Sequence, residues 1–373
     1  MDRVGIMLDW AIMQSGIDGK KSYEHLPYYA EIGKEMGLEP VFFHPRHVRS
    51  NGKVKGYFWN GKRLVPRIVP IPRVIHNRVL TGDQQSRKVI RQLSKKQIVF
   101  NGLVVRDKWR VHQMLWKNPK IRSYLPHTVK YSGEKIRDFL NRYSILYVKP
   151  AVGSVGIGVV RIEREGDHYH FISSKQRKVL TRQRLLSELA EWTGKRRFLI
   201  QQGVPLNRYQ GRTYDIRVSV QKNREMKWTV SGMVAKVANP QNKLSNLSRG
   251  GKAVPLKSVW QDIFSQEQQE QIVESIQKAA LDLARQYAKN YPSLADLGMD
   301  MGIDDKGKPY LIEINVRDQR YSFYKAKEMT MFKRTYRHPM EYARSLLKGM
   351  VPTIREIHHE NIQESPIILA DLL

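Results

Sequence analysis

The sequence predicts an α/β protein. Three observations carry that class: a βαβ pattern opens the chain, short apolar strands recur as far as residue 316, and a long amphipathic helix precedes an acid-bearing hairpin. Residues 4–8 read as a short buried strand. Residues 23–36 follow as a helix, with Leu26, Tyr29, Ile32 and Met36 at helical spacing and Gly37 to end it. Residues 40–44 form the next strand. Asn60-Gly61 between residues 57–59 and 63–69 signals a hairpin, and Pro66, Pro70 and Pro72 are expected to limit regular pairing after it. Residues 74–76 read as a third, parallel-type strand and residues 86–93 as a helix.

Composition sets the bounds. A chain of 373 residues can bury a large core and divides naturally into two or three subdomains. Apolar content of 41% with 27% charged residues fits a folded, water-exposed protein. With no cysteine, disulfides, thiolate zinc sites and thiol catalysis are excluded. The first nine residues carry an acid inside their apolar run, so no secretory signal is expected. No window approaches the ~20 apolar residues of a spanning helix. Lysine and arginine number 65 against 35 acids, a net charge of +30. Such a surface attracts polyanions, whether nucleic acid, nucleotide, acidic peptide or wall polymer. The basic residues spread along the whole chain without a helix-turn-helix, RRM or zinc-finger pattern, which disfavours a nucleic-acid partner.

The chemistry-bearing stretches begin at residue 106. Asp107 is a candidate N-cap for a helix over 109–116. Lys108 then stands in the first turn, where a cation is disfavoured unless an anion lies near, or is simply exposed. Residues 144–150 form a strand ending in Lys149-Pro150. The glycine-rich run Gly153, Ser154, Gly156 and Gly158 follows, and then a strand over 159–162. A strand on both sides, with no Gly-Lys-Ser/Thr, argues against Walker and Rossmann loops. The run is either a plain hairpin turn or a phosphate-approaching loop served by Lys149. A basic helix over 182–192 leads to a buried strand over 198–204, ending in Gln202, Gly203 and Val204. Such a strand can offer an amide and backbone groups to a purine edge. Asp215 and Arg217 share one face of a strand over 211–220, as a cross-strand ion pair or as site residues. A strand over 227–237 precedes a loop with Asn246 and Arg249, where the arginine can clamp an oxyanion. Residues 266–291 form the long amphipathic helix, expected to pack on the sheet.

The hairpin over 298–317 is the focus of the chain. Two apolar runs flank the polar turn 304–309. With the turn centred between Lys306 and Gly307, Asp300 lies opposite Glu313, and Asn315 shares the face of Glu313. Two carboxylates and an amide oxygen that converge there suit a hard cation such as Mg²⁺. The other reading is an edge hairpin with solvated acids.

Taken in order, these segments resemble an ATP-grasp domain, most closely the RimK type in the middle portion, over residues 100–320. The whole chain resembles the spore-associated YheC/YheD group of ATP-grasp proteins, a likeness carried also by Asn315-Val316-Arg317-Asp318-Gln319-Arg320 and Pro339-Met340-Glu341-Tyr342-Ala343. The resemblance implies an α/β (α+β) ATP-grasp fold. Residues 1–100 would be an N-terminal α/β subdomain, 101–325 the ATP-grasp domain, and 326–373 a basic helical extension and tail. It implies ATP and Mg²⁺ as cofactors, usually two ions, with Mn²⁺ as an alternative. Lys108, Lys149, Gly153, Ser154, Gly156 and Gly158 would bind phosphates, Gln202, Gly203 and Val204 adenine, and Asp215 ribose. Asn246 belongs to the nucleotide set. Asp300, Glu313 and Asn315 would hold metal, and Arg217 and Arg249 would stabilise the transferring phosphoryl group. The activity implied is a carboxylate–amine or carboxylate–thiol ligase acting through an acyl-phosphate. The alternative is a basic adaptor of the spore coat that keeps the fold without turnover. A cytoplasmic or spore-associated location follows from the same likeness, with spore-coat components among the partners.

Two departures from the RimK pattern matter. Gln202 stands where such hinges carry Glu. Val316-Arg317-Asp318 replaces the Ser-Pro-Gly that follows the metal-binding Asn, so the acceptor cannot be borrowed from RimK. Arg317 and Arg320 are expected either to favour an acidic acceptor (a small molecule, peptide or polymer) or to form a solvated basic turn. Tyr342, Leu346, Leu347 and Met350 mark a packed helix near the end, and residues 367–373 form an apolar terminus.

Overall fold

The first sheet arises where the opening βαβ pattern predicts it. In the computed structural model, which describes residues 1–80, 82–104, 107–153, 156–239 and 250–350, it is built from six strands. These are β1 (Asp2–Met7), β2 (Leu38–Phe43), β3 (Lys53–Trp59), β4 (Leu64–Pro70), β5 (Val74–Asn77) and β6 (Ile98–Phe100). Their order is β4-β3-β2-β1-β5-β6. β1 runs parallel to β2 and β5, and β5 parallel to β6. Three helices connect them: α1 (Trp10–Ile17), α2 (Leu26–Met36) and α3 (Gln84–Ser94). Gly37 ends α2 in the left-handed region at φ 71°, where a Cβ would be strained. Pairing between β3 and β4 is more regular than the prolines suggested, running from Trp59↔Leu64 to Lys53↔Pro70. β4 is an edge strand, so Pro66 and Pro70 cost no interior ladder bond.

The second sheet belongs to the middle of the chain. α4 (Lys108–Trp116) leads into β7 (Thr128–Lys130), α5 (Gly133–Arg142), β8 (Ile145–Pro150), β9 (Val160–Glu165), β10 (His168–Ser173), β11 (Arg177–Thr181), α6 (Arg182–Thr193) and β12 (Phe198–Gln202). The antiparallel order is β11-β10-β9-β8-β12-β7. Ile136, Phe139 and Leu140 of α5 and Leu185 and Leu189 of α6 cover it with an apolar core of its own. Strand, glycine loop, strand is the observed sequence of elements at β8 and β9, as the absence of a helix signal required.

The third sheet carries the hairpin. β13 (Arg208–Tyr209), β14 (Arg212–Lys222), β15 (Trp228–Val237), β16 (Lys252–Val254), α7 (Leu256–Trp260), α8 (Gln266–Ala288), β17 (Asp296–Ile303) and β18 (Pro309–Asn315) follow one another. β13 pairs with β14, and the rest run in the order β16-β15-β14-β17-β18. α8 begins at a capping box, Ser265 with Gln268. It buries Ile272, Ile276, Ala279, Ala280, Leu283 and Ala284 against β14, β15, β17 and β18, as its amphipathic spacing predicts.

The chain then returns to its start. α9 (Tyr321–Lys325) leads to α10 (Met329–Leu347), which lies on α2. Phe332, Tyr336, Met340 and Leu346 join Val4, Ile6 and Tyr29 in one core, so the basic helix completes the N-terminal unit. Tyr342 and Leu346 are buried as expected, whereas Met350 lies past the helix and is exposed. Of the extension and tail expected over 326–373, residues 351–373 lie outside the described residues. Among the described residues, no helix is long and apolar enough to cross a membrane.

Candidate functional site

The hairpin β17–β18 sets the site. Asp304 closes its turn, with Oδ1 accepting the backbone N–H groups of Lys306 and Lys308, each at 3.0 Å. Near the turn the register is Ile303↔Pro309 and Met301↔Leu311, one residue out of step with the centring expected from the sequence. A bulge between Met301 and Asp300 then takes up one extra residue of β18 and brings Asp300 opposite Glu313. Asn315 donates its amide to Asp300 Oδ2 at 3.3 Å. The three expected metal-binding residues are therefore together.

Asp300 is buried and heavily committed. Arg217, directly opposite on β14, donates from Nε at 2.8 Å to Oδ1 and from Nη2 at 3.3 Å to Oδ2. Lys236 of β15 donates to the same Oδ1 at 2.8 Å, and its Nζ also lies 2.8 Å from Asp215 Oδ1. Burial disfavours the charge on Asp300, but Arg217 and Lys236 overcome it and hold the carboxyl below the usual carboxylate range. Asp215 and Arg217 thus take part in cross-strand ion pairs with different strands. Behind them the buried Asp318 accepts from the Ser219 hydroxyl and from Arg217 Nη1 at 3.4 Å. Its pKa is raised, burial outweighing the cations. Gly298 makes room for it, since a Cβ there would lie 2.5 Å from Asp318 Oδ1.

Glu313 faces the second sheet. Lys108 Nζ lies 3.3 Å from its Oε1 and donates to the Gly153 carbonyl at 2.7 Å. Asp107 is the N-cap of α4, accepting from Trp109 and Arg110 at 2.9 and 3.1 Å, so Lys108 stands in the first turn with the anion that this placement requires. Lys149 donates to Gln201 Oε1 at 2.6 Å. Burial lowers its pKa to about 8, Glu313 opposing and Lys108 reinforcing that shift. Gly153, Gly156 and Gly158 all have positive φ, and a Cβ at Gly158 would meet Pro150 Cγ at 2.9 Å. Ser154, Asn246 and Arg249 lie outside the described residues.

The expected adenine strand is differently occupied. Gln202 N–H donates to the His127 carbonyl at 2.8 Å and Gly203 N–H to the Ile145 carbonyl at 2.7 Å, so both are taken by strand pairing. Gly203 is there for packing: a Cβ would lie 2.2 Å from Ile145 Cγ2. Val204 is half-buried at the end of this strand.

Two expectations at the acceptor side are overturned. Arg317 and Arg320 neither line a solvated turn nor present charge outward. Arg317 donates to the Val316 and Gly102 carbonyls at 2.7 and 2.9 Å. Arg320 is buried, donating to Asp296 Oδ2 at 2.7 Å and the Tyr29 hydroxyl at 3.0 Å. Arg78 joins Asp296 at 3.1 Å and pairs with Glu24, and His76 lies 3.1 Å from the same Asp296 oxygen. This network ties the first sheet to β17 and was absent from the sequence reading.

Lys236, Asp318 and Gln201 were also missed. A signal for Lys236 exists: it is the single charge in the run from Thr229 to Val237, whose end is buried on both faces, and a lysine there needs a partner. The donor set fits a hard cation. Glu313 is half-exposed with Lys108 beside it, the Asn315 amide nitrogen is on Asp300 so its oxygen is left for a cation, and every side-chain donor is oxygen.

Comparison with known proteins gives the family and the fold. The endospore coat-associated protein YheD of Bacillus subtilis (strain 168) is 28% identical over 305 residues, covering 78% of this chain and 67% of that protein. YheC of the same organism is 25% identical over 316 residues, covering 79% and 85%. Among solved structures, the D-cycloserine synthetase DcsG superposes with a TM-score of 0.54 at 11% identity, covering 94% of this chain and all of that one. A RiPP-associated ATP-grasp ligase of Chryseobacterium gregarium, solved with ADP and a leader and core peptide, gives 0.52 at 13% identity, covering 95% and 98%. These likenesses establish the fold. The family model for YheC/D-like ATP-grasp matches residues 96–346, and the chain belongs to that family.

Proposed function

We propose that the protein is an ATP- and Mg²⁺-dependent carboxylate–amine (or carboxylate–thiol) ligase. The observation that carries this reading is the meeting of Lys108 and Lys149, from α4 and β8, with Glu313 at the bulged hairpin. Among the described residues, Lys108, Lys149, Arg217 and Lys236 are matched one for one by Asp215, Asp300, Glu313 and Asp318. A polyphosphate entering so balanced a site must bring a cation with it, which is the electrostatic case for metal-bound nucleotide.

In this reading Lys108 and Lys149 bind phosphates and the glycines 153, 156 and 158 let the loop backbone approach them. Glu313 and Asn315, beside Asp300, hold the metal, whose charge neutralises the phosphates. Asp215 lies on the ribose side, and Gln202 and Val204 offer the adenine their remaining polar groups, since the N–H groups of Gln202 and Gly203 are paired. By family likeness Ser154 and Asn246 are assigned to the nucleotide set, and Arg249 to stabilising the transferring phosphoryl group. Arg217 is held by Asp300 and Asp318 where charge develops on the transferring group. A substrate carboxylate attacks the γ-phosphorus, the bond to the β–γ bridging oxygen breaks, and ADP leaves. An amine or thiol then displaces phosphate from the acyl carbon. The acceptor is proposed to be acidic, supported by the overall charge of +30 and no longer by Arg317 or Arg320.

The second reading is a basic adaptor that keeps the fold without turnover. The same charge and the coat association named for both Bacillus relatives favour it. Calorimetric titration of ATP, with and without Mg²⁺, into wild type and Glu313→Gln tests the site. Mg²⁺-dependent binding that weakens in the variant is expected. No binding to wild type removes the nucleotide reading. ADP release on adding acidic acceptors then separates ligase from adaptor.

A further inference from the structure

The Asp300 carboxylate, an expected metal ligand, has little capacity left for a metal. Its Oδ1 accepts from Arg217 Nε and from Lys236 Nζ, each at 2.8 Å. Its Oδ2 accepts from Arg217 Nη2 and Asn315 Nδ2, each at 3.3 Å. A carboxylate offers about four acceptor directions, and here all are used. Lys236 is the least replaceable donor. It lies directly opposite Asp215 across β14 and β15, is 5% exposed, and bridges Asp215 to Asp300. A divalent ion on the inner side of Asp300 would have to displace this ammonium from Asp300 and crowd a further cation against Lys236 and Arg217 in a buried site, which is strongly unfavourable. Glu313 differs: its side chain is 35% exposed, with Lys108 at 3.3 Å and Lys149 near enough to feel its charge.

We propose that Lys236 is a built-in cation standing where a second divalent ion would bind, so that the site takes one ion, held by Glu313 and Asn315 at the outer edge of Asp300. The ammonium supplies fixed charge between Asp215 and Asp300 without the dehydration that Mg²⁺ requires. This inference rests on the nucleotide reading and replaces the expectation of two ions with one.

The test counts bound ions. Wild type is titrated with Mn²⁺ in the presence of a saturating non-hydrolysable ATP analogue, and bound Mn²⁺ is read by electron paramagnetic resonance. Analogue binding is measured calorimetrically in the same samples. One Mn²⁺ per bound analogue is expected in wild type and in Lys236→Arg. Lys236→Met removes the ammonium that bridges Asp215 and Asp300 while Arg217 stays on Asp300, and is expected to raise the ratio towards two, with a dipolar-broadened spectrum from the paired ions. Two ions per analogue in wild type overturn the proposal while leaving the nucleotide site intact. Absence of analogue binding overturns the nucleotide reading itself. Should Lys236→Met fail to fold, the ratios in wild type and Lys236→Arg decide.

Discussion

Lys149 Nζ donates a 2.6 Å hydrogen bond to Oε1 of Gln201, its neighbour on the adjacent strand β12. The ammonium is near enough to Glu313 to feel its charge, while its burial lowers the pKa to about 8 from an ordinary 10.5. In the unliganded protein, stability should rise with pH between those two values, because the unfolded chain then holds a proton that the folded chain has lost. Nucleotide affinity should move the other way, falling as pH rises through about 8 and the phosphate-facing charge disappears. Lys149→Met is expected to bind ATP roughly 10- to 100-fold more weakly, the worth of one charge-assisted hydrogen bond. It should also lose the step near pH 8. Calorimetry from pH 7 to 9.5 checks both.

Gly203→Ala places a methyl 2.2 Å from Ile145 Cγ2 and 2.9 Å from the Ile145 carbonyl carbon. The backbone atom cannot rotate away, so β8 and the start of the 203–207 connection must separate. A loss of about 1–3 kcal/mol is expected from the overpacking, read as a lower midpoint in urea unfolding. Ile145→Val in the same background should recover little of it, since valine keeps both the Cβ and the Cγ2 that the methyl meets and the backbone contact remains.

Arg320→Met should be among the most damaging single changes in the chain. It strips Asp296 of a 2.7 Å partner and removes a guanidinium stacked 4.4 Å from the Tyr336 ring centroid. Breaking a buried ion pair costs up to about 3–5 kcal/mol, and here the surviving Asp296 charge stays buried with Arg78 as its remaining guanidinium. Thermal or urea unfolding checks this. A cost below about 1 kcal/mol would show that Arg78 alone suffices for Asp296.

Legibility followed the range of the interactions. α8, the hairpin β17–β18 and the N-cap Asp107 could be read because their signals are local: spacing, a turn, one side chain and the next two amides. The opposition of Asp300 and Glu313 was also foreseen, although from a centring that holds only beyond the bulge. Arg320 was misread because its partners, Glu24, Tyr29 and Asp296, lie 24 to nearly 300 residues away, and a basic run looks alike whether solvated or buried. Lys236 hid in the same way, its two carboxylates belonging to other strands. α5 was passed over although Ser132 caps it and Ile136, Phe139 and Leu140 have helical spacing. β10 and β11 left less to find, since Tyr169 and Phe171 are their fully buried side chains among polar neighbours.

The buried charges have a colloidal consequence. Among the described residues, buried Arg78, Arg161, Arg217, Lys236, Arg317 and Arg320 are set against Asp9, Glu24, Asp107, Asp215, Asp296, Asp300 and Asp318, so this interior holds none of the excess. The positive excess of the described residues therefore resides on the outside. Copies of this chain repel one another at low ionic strength, and a long acidic polymer converts that repulsion into bridging, with many copies strung on one strand of opposite sign. The protein's dispersal or condensation is thus set by what surrounds it, while its interior stays electrically quiet.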